Sequence, residues 1–345
     1  MTDPEQSGSG PPEPTTPAEE GDQTEGIILE PEGILQESDA CSTSDKSIKS
    51  TKSLTDSLFE VVLENGRQYC NDTYFMPNDD AELTRLNIIH QVNLLVLDGD
   101  LTKVPIVDSM RRCLDVGTGA GDWAIEFAEQ YPDIEVVGTD LSPFQPEEVP
   151  SNLYFEVDDA TEEWTFSEPF DFIHMRHLAG SFSDWMTIYK EAYKNLRPGG
   201  YLEIAEFEHM QMSREYPDSY VNIWVTAKQS AAELAGTPRT VAHLKRSMLE
   251  AAGFCDIETT VIDVPLGTWP EDARKLAIGK LWLISTLEGL EAASMRLLTN
   301  QLGWGPGQVK EICEKVRTEL IMGFGQVYTP FYFVTARKPI DSPRV

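Results

Sequence analysis

Leu114-Asp115-Val116-Gly117-Thr118-Gly119-Ala120-Gly121-Asp122-Trp123 is the stretch on which the reading of this chain turns. It follows an apolar strand pattern and leads into a helical one, Trp123 to Gln130. Glycines at alternate positions let a backbone turn sharply and approach a ligand with no Cβ between them, while the first N–H groups of the next helix point at it. The dinucleotide fingerprint G-x-G-x-x-G needs glycine at position 122, where this chain has Asp122. The spacing here is G-x-G-x-G, and a carboxylate just past the loop is a poor neighbour for a pyrophosphate. A nicotinamide dehydrogenase is disfavoured on that ground.

Nineteen residues after Gly121, a second strand pattern, Val136-Val137-Gly138-Thr139, ends at Asp140-Leu141. An acidic side chain at that strand end is placed to accept hydrogen bonds from both hydroxyls of a ribose. Phe155-Glu156-Val157-Asp158-Asp159-Ala160 puts further acids just beyond a third strand, where Asp159 can meet an adenine amino group. Glycine loop and acids both fall at carboxyl ends of neighbouring strands, and together they point to a nucleoside ligand.

Working outward, short apolar strands alternate with helical patterns from Arg112 onward, the signature of a parallel sheet. Strands are expected at Cys113–Val116, Glu135–Thr139, Tyr154–Val157, Asp171–Met175 and Tyr201–Phe207. A helix over 184–196 presents Trp185, Ile188, Ala192 and Leu196 on one face and ends at Pro198-Gly199-Gly200. Asp79 to Leu97 predicts a largely buried helix ahead of the sheet. Beyond Phe207 come helical stretches at 219–235 and 240–252, a strand at 257–264, helical blocks at 271–300 and 308–322, and an aromatic strand at 327–336 with the character of an antiparallel last strand. Trp224, Trp269, Trp282 and Trp304 lie in or beside these patterns and read first as core.

The first aromatic residue of the chain is Phe59; residues 1–58 carry 13 acids against three lysines. Such a composition buries too little apolar surface to offset chain entropy, so an acidic disordered tail is expected over 1–58. An N-terminal helical cap is expected over 59–110 and the main domain over 111–340, with helical insertions after the fifth strand. With 27 basic and 58 acidic residues the net charge is −31, which argues against direct nucleic-acid binding and against an anionic membrane surface. Five cysteines without a C-x-x-C pair suit a reducing compartment. No stretch approaches the roughly 18 apolar residues of a membrane helix.

Asp115-x-Gly117-x-Gly119-x-Gly121, Asp140, Asp159-Ala160, Phe170-Asp171-Phe172-Ile173 and Leu196-Arg197-Pro198-Gly199-Gly200-Tyr201-Leu202 resemble the ordered motifs of class I S-adenosylmethionine-dependent methyltransferases. Upstream, Glu64-Asn65-Gly66-Arg67-Gln68-Tyr69, Tyr74, Pro77-Asn78-Asp79-Asp80, Glu82, Arg85-Leu86 and His90 are similar to the N-terminal region of the fungal LaeA-like methyltransferases, which regulate secondary metabolism and development. The resemblance implies an α/β, Rossmann-like sheet of seven strands with helices on both faces, the last strand antiparallel. It implies S-adenosyl-L-methionine as cofactor, held by Asp115, Gly117, Thr118, Gly119, Gly121, Asp140, Leu141, Asp159 and Ala160. In some members it further implies association with velvet-domain regulators or the nucleus, so residence in the nucleus, the cytoplasm or both is expected. It does not supply the methyl acceptor.

Tyr69 and Tyr74 precede the sheet and are candidates to close over the cofactor. Methyl transfer asks mainly for a near-attack arrangement, and an oxygen or nitrogen acceptor also asks for a base. The candidates are His177, Glu206 and His209, just past the fourth and fifth strands; His174, inside its strand, reads as packed. No H-x-x-x-H or H-E-x-x-H pattern is present, so no metal is expected. Three readings compete: a regulator acting through protein partners, an O- or N-methyltransferase tailoring a small metabolite, and a non-catalytic cofactor-binding module. The acidic tail favours the first, and an apolar helical block at 271–322, suited to a lid, favours the second.

Overall fold

The computed structural model describes residues 61–71, 74–212, 218–323 and 325–340. The expected tail, 1–58, lies outside the described residues.

Ahead of the sheet the chain forms a hairpin, β1 (Val62–Glu64) and β2 (Arg67–Tyr69), joined by Asn65-Gly66, a pair suited to a tight two-residue turn. The sequence reading expected only helix here. Arg67 pairs with Asp79 through Nε at 2.5 Å and Nη2 at 2.7 Å. Asp79 also caps α1 (Asp80–Val96) by accepting from the Glu82 N–H at 3.1 Å. One carboxylate thus starts the helix and fastens the hairpin to it.

The main sheet is built from β3 (Arg112–Val116), β4 (Glu135–Asp140), β5 (Leu153–Val157), β6 (Phe170–Arg176) and β7 (Leu196–Phe207), paired in parallel in the order β5-β4-β3-β6-β7. Between them run α2 (Asp122–Gln130) and α3 (Trp185–Asn195). The chain reverses its direction of growth at β3, where ligands bind in open α/β sheets. Alternation along the strands explains the two buried faces. Cys113, Val136 and Phe172 meet Trp123 and Phe127 of α2, whereas Leu114, Ile173 and Met175 meet Trp185, Ile188 and Ala192 of α3.

A two-residue β8 (Gln211–Met212) continues the line of β7; after it come α4 (Tyr220–Leu234), a 3-10 turn at Val241–Leu244, and α5 (Arg246–Ala251). Next are β9 (Cys255–Leu266), α6 (Ala273–Ala292), α7 (Met295–Leu302), α8 (Pro306–Met322) and β10 (Val327–Arg337). β10 enters antiparallel between β7 and β9, as expected for the last strand. A third core joins α1, α4, α6, α7 and α8 to the β9–β10 side of the sheet, through Trp224, Trp282, Leu290, Val309, Phe331 and Phe333.

Three boundaries differ from the periodicity reading. Pro198-Gly199-Gly200 does not end α3: that helix stops at Asn195, and the three residues lie within β7 beside an irregularity in its pairing with β6. A Cβ on Gly200 would come within 3.0 Å of the Asp171 and Arg197 carbonyl oxygens, so the glycine permits a close backbone approach. The 271–300 block breaks between α6 and α7, where the Ser294 hydroxyl donates to the Leu290 carbonyl at 2.5 Å and accepts from the Trp224 indole at 2.7 Å. The 240–252 stretch breaks at Lys245, whose extended backbone separates the 3-10 turn from α5.

Gly121 starts α2 at φ +85°, and a Cβ there would lie 2.5 Å from the Phe155 ring. The same ring also covers Gly138, where a Cβ would lie 2.7 Å from it. The left-handed backbone and the overpacking add, so Gly121→Ala is expected to cost about 2–4 kcal/mol of stability in urea unfolding. A loss below about 0.5 kcal/mol would show that glycine is not required at the start of α2.

Candidate functional site

A cavity of about 680 Å³ opens at the carboxyl ends of β3, β4, β5 and β6. Its floor is the glycine loop, and α1, α6 and α7 contribute residues to its walls. The loop is held from below by two carboxylates. Asp115, buried at the centre of the sheet, accepts from the Thr118 hydroxyl at 2.7 Å and pairs with His174 Nδ1 at 2.7 Å. The His174 ring in turn stacks on Trp123 with centroids 3.7 Å apart. His174 is therefore a packed residue that orients Asp115, as its place inside a strand suggested.

Asp140 holds the loop from the side. Its Oδ2 accepts from the Gly119 N–H at 2.9 Å and its Oδ1 from the Ser142 N–H at 3.0 Å. A carboxylate offers about four acceptor positions in all, more than the loop's N–H groups use. Burial pushes the Asp140 carboxyl up to about 6, against the lowering effect of the Gly119, Ser142 and Leu141 N–H groups. Gln145 donates to the Gly119 carbonyl at 2.7 Å and closes the outer edge of the loop. At Gly119 φ is +60°, and a Cβ would meet only Leu86 at 3.5 Å, so the space above it is open.

Asp115, Gly117, Thr118, Gly119, Asp140, Leu141, Asp159 and Ala160 all line this cavity, as the sequence placed them. The Oδ1 of Asp159 accepts from the Thr161 N–H at 2.9 Å and hydroxyl at 2.7 Å. Two of the other cofactor-side candidates lie elsewhere. Gly121 is not in the wall; it shapes the loop from beneath Phe155. Tyr69 is fully buried outside the wall, with the Arg296 guanidinium 3.6 Å from its ring centre. Arg296 also binds Glu64 at 2.8 Å and the Asn71 and Tyr74 carbonyls at 2.6 and 2.8 Å, so Tyr69 belongs to the joint that fastens the hairpin to α7. Tyr74, by contrast, does line the cavity.

Of the three candidate bases, only His177 lines the cavity. Its backbone is left-handed at φ +59°, its N–H is tied to the Ala205 carbonyl at 2.8 Å, and its Nε2 is buried without a partner. Burial and the neighbouring Arg176 push its basicity well below that of a free imidazole, so the ring is neutral. Glu206 is turned into the protein, where Oε1 accepts from the Leu178 N–H at 2.8 Å and anchors the loop after β6. Burial raises its carboxyl to about 8. His209 lies outside the wall too, lowered to about 4 by burial and by Lys228 and Arg239.

Lys228, Arg239 and Ser285 line the cavity and were not found from sequence. Lys228 had a visible signal: it interrupts an otherwise apolar face of α4, Val221, Trp224, Lys228, Ala231 and Ala232. Arg239 and Ser285 had none. Trp224 and Trp282 serve the core and the cavity wall together, so for these two both of the roles weighed from sequence are present.

A family profile described as "Methyltransferase domain" matches residues 85–259. The chain is 34% identical over 297 residues to methyltransferase pytC of Aspergillus terreus, covering 84% of this chain and 92% of that protein. It is 37% identical over 290 residues to the secondary metabolism regulator LAE1 of Cochliobolus heterostrophus, covering 80% and 94%. Among solved structures, a phosphoethanolamine N-methyltransferase of Haemonchus contortus shares 16% identity at a TM-score of 0.44, over 77% of this chain and 54% of that one.

The raised Glu206 carboxyl makes a prediction about stability. A folded-state value of about 8 lies above the ordinary value of 4.5, so its contribution is fully present below about pH 4.5 and is lost as pH rises through 8. Glu206→Gln retains an acceptor for the Leu178 N–H but cannot ionise. Its melting temperature is expected to fall less than the wild type's between pH 5 and pH 8.5, approximately the window set by that shift. Parallel curves for the two proteins would place the Glu206 carboxyl in an ordinary, hydrated setting.

Proposed function

The chain belongs to the LaeA-like methyltransferase family, and on that premise we propose that it transfers a methyl group from S-adenosylmethionine held at the glycine loop. The observation that carries this reading is the Asp140 clasp. Its carboxylate already fixes Gly119 and Ser142, and it keeps acceptor capacity for a ribose hydroxyl. The open space over Gly119 suits a cofactor passing along the loop, and a cavity of about 680 Å³ is within the usual range for a bound small molecule. Asp159 stands at the end of β5, on the side suited to an adenine amino group.

The cofactor, when bound, supplies a methyl group activated by a sulfonium. The chain's own residues bind, orient and exclude water. Rigid backing of Asp115 by His174 and Trp123 keeps the loop from moving as the ligand enters, so ordering costs little at the moment of reaction. His177 lines the cavity with an unpartnered Nε2, so it can hydrogen-bond a bound acceptor, while its lowered basicity makes it a weak base.

We place the protein in secondary metabolism, where LAE1 is named a regulator. Nuclear residence and a velvet-domain partner belong to the same proposal and rest on the resemblance. A walled acceptor end favours a small-molecule acceptor as the second reading. Phe207, Met210, Trp224 and Trp282 line it as a large protein substrate would not require. Incubation of the full chain with methyl-labelled S-adenosylmethionine and a fractionated lysate separates the two, by label in protein or in metabolite.

Asp140→Ala is expected to weaken S-adenosylmethionine binding at least about tenfold, given about 1.5–3 kcal/mol for each hydrogen bond to a charged group. Gly119→Val, with Asp140 intact, is expected to abolish binding in a folded protein. Wild-type affinity should fall as pH drops through about 6, where Asp140 takes up a proton and loses an acceptor position. Calorimetry measures all three, and unchanged affinity in both variants would remove the cofactor from this loop.

A further inference from the structure

Lys228, Ser285 and Arg239 line the cavity from outside the glycine loop, and two of them carry a buried polar atom without a hydrogen bond. Lys228 on α4 is 8% exposed and Ser285 on α6 is 1% exposed, and both line the cavity. Among the described residues Lys228 has no carboxylate partner; its ammonium sits 3.5 Å from the centre of the Trp224 ring. The Ser285 hydroxyl and the Arg239 Nη1 are buried without a hydrogen bond. Arg239 is seated by packing: its guanidinium lies 4.4 Å from the centre of the Phe75 ring, and its Cγ occupies the space that a Cβ on Gly180 would fill.

Every one of these groups is a hydrogen-bond donor, and two are cations. The surrounding wall is aromatic, and its own polar atoms are already used. The Trp224 indole N–H donates to Ser294 at 2.7 Å and the Trp282 N–H to Thr329 at 3.0 Å. A buried charge without a partner is costly, and so is a buried donor left unmet. A chain with 58 acidic residues has many carboxylates to place here, yet among the described residues none stands within ion-pair distance of either cation, and Glu206 and Glu82 act on Arg239 only from farther off.

We propose that this part of the cavity binds the methyl acceptor through an anionic group, a carboxylate carried on an apolar or aromatic body. The carboxylate takes hydrogen bonds from Lys228, Arg239 and Ser285, and its body lies against Trp224 and Trp282. Six acidic and five basic residues line the same cavity, so a monoanion is accommodated better than a dianion. Burial and the Arg239 charge hold the Lys228 ammonium well below its ordinary value, and an arriving carboxylate restores it. The inference rests on the proposed cofactor site only in taking this part of the cavity as the acceptor's.

The test is calorimetric titration of the full chain with 2-naphthoate and with its neutral analogue 2-naphthamide, with and without saturating S-adenosylhomocysteine. Naphthoate is expected to bind about tenfold tighter than naphthamide, the value of one hydrogen bond to a charged group. Lys228→Met and Arg239→Gln are each expected to reduce that preference to below about threefold. Equal affinity of the two probes for the wild-type protein overturns the proposal, and that comparison does not depend on any variant folding. Folded variants that keep the full preference overturn it as well. A naphthoate preference without any heat from S-adenosylhomocysteine supports the anion pocket and sinks the cofactor reading, so the two failures are distinguishable.

Discussion

The Asp140 carboxylate, with the Gly119 N–H on one oxygen and the Ser142 N–H on the other, is the interaction on which the site depends. It joins the end of β4 to a loop leaving β3, so the two strand ends cannot drift apart. A second carboxylate, Asp115, holds the same loop through Thr118 and is itself oriented by His174. Both offer the most acceptor positions when ionised; Asp115 is buried and Asp140 is partly buried. The arrangement is stable because the backbone N–H groups of the loop meet the charge, in place of water. The glycine loop is therefore tied by hydrogen bonds to Asp115, Asp140 and Gln145.

Two parts of the cavity wall are electrically different. Carboxylates with acceptor positions to spare gather near the glycine loop, and donors without acceptors gather around Lys228, Arg239 and Ser285. Outside the cavity wall the protein keeps other titratable groups neutral by burial. Glu206 rises to about 8 and His243, stacked on Trp185, falls to about 4, although they stand 3.8 Å apart. Such a site offers its polar partners to the ligand and screens them little from one another.

Much of the sheet was legible from sequence because strands with two buried faces are short apolar runs bounded by turns. Each of the seven expected strands is present, with bounds shifted by a few residues at most except for β7, which starts earlier. Its early start runs through Pro198-Gly199-Gly200, a triplet that reads as a stop until the bulge against β6 is seen. The helix breaks at Ser294 and Lys245 were hidden because each is set by partners distant in sequence or by one extended residue. The cofactor-side residues were legible because they are local to strand ends. Tyr69, Glu206 and His209 were misplaced because position after a strand does not tell which way a side chain turns. Lys228 shows the converse: a charge on an apolar helical face was visible, but its meaning needed the cavity.

The most direct measurement of this account is a crystal structure of the full chain with S-adenosylhomocysteine. The account predicts the ribose hydroxyls on the Asp140 carboxylate, the adenine beside Asp159 and Ala160, and the loop in the conformation described. A ligand bound elsewhere, or one that displaces the Gly119 N–H from Asp140 to fit, would contradict it.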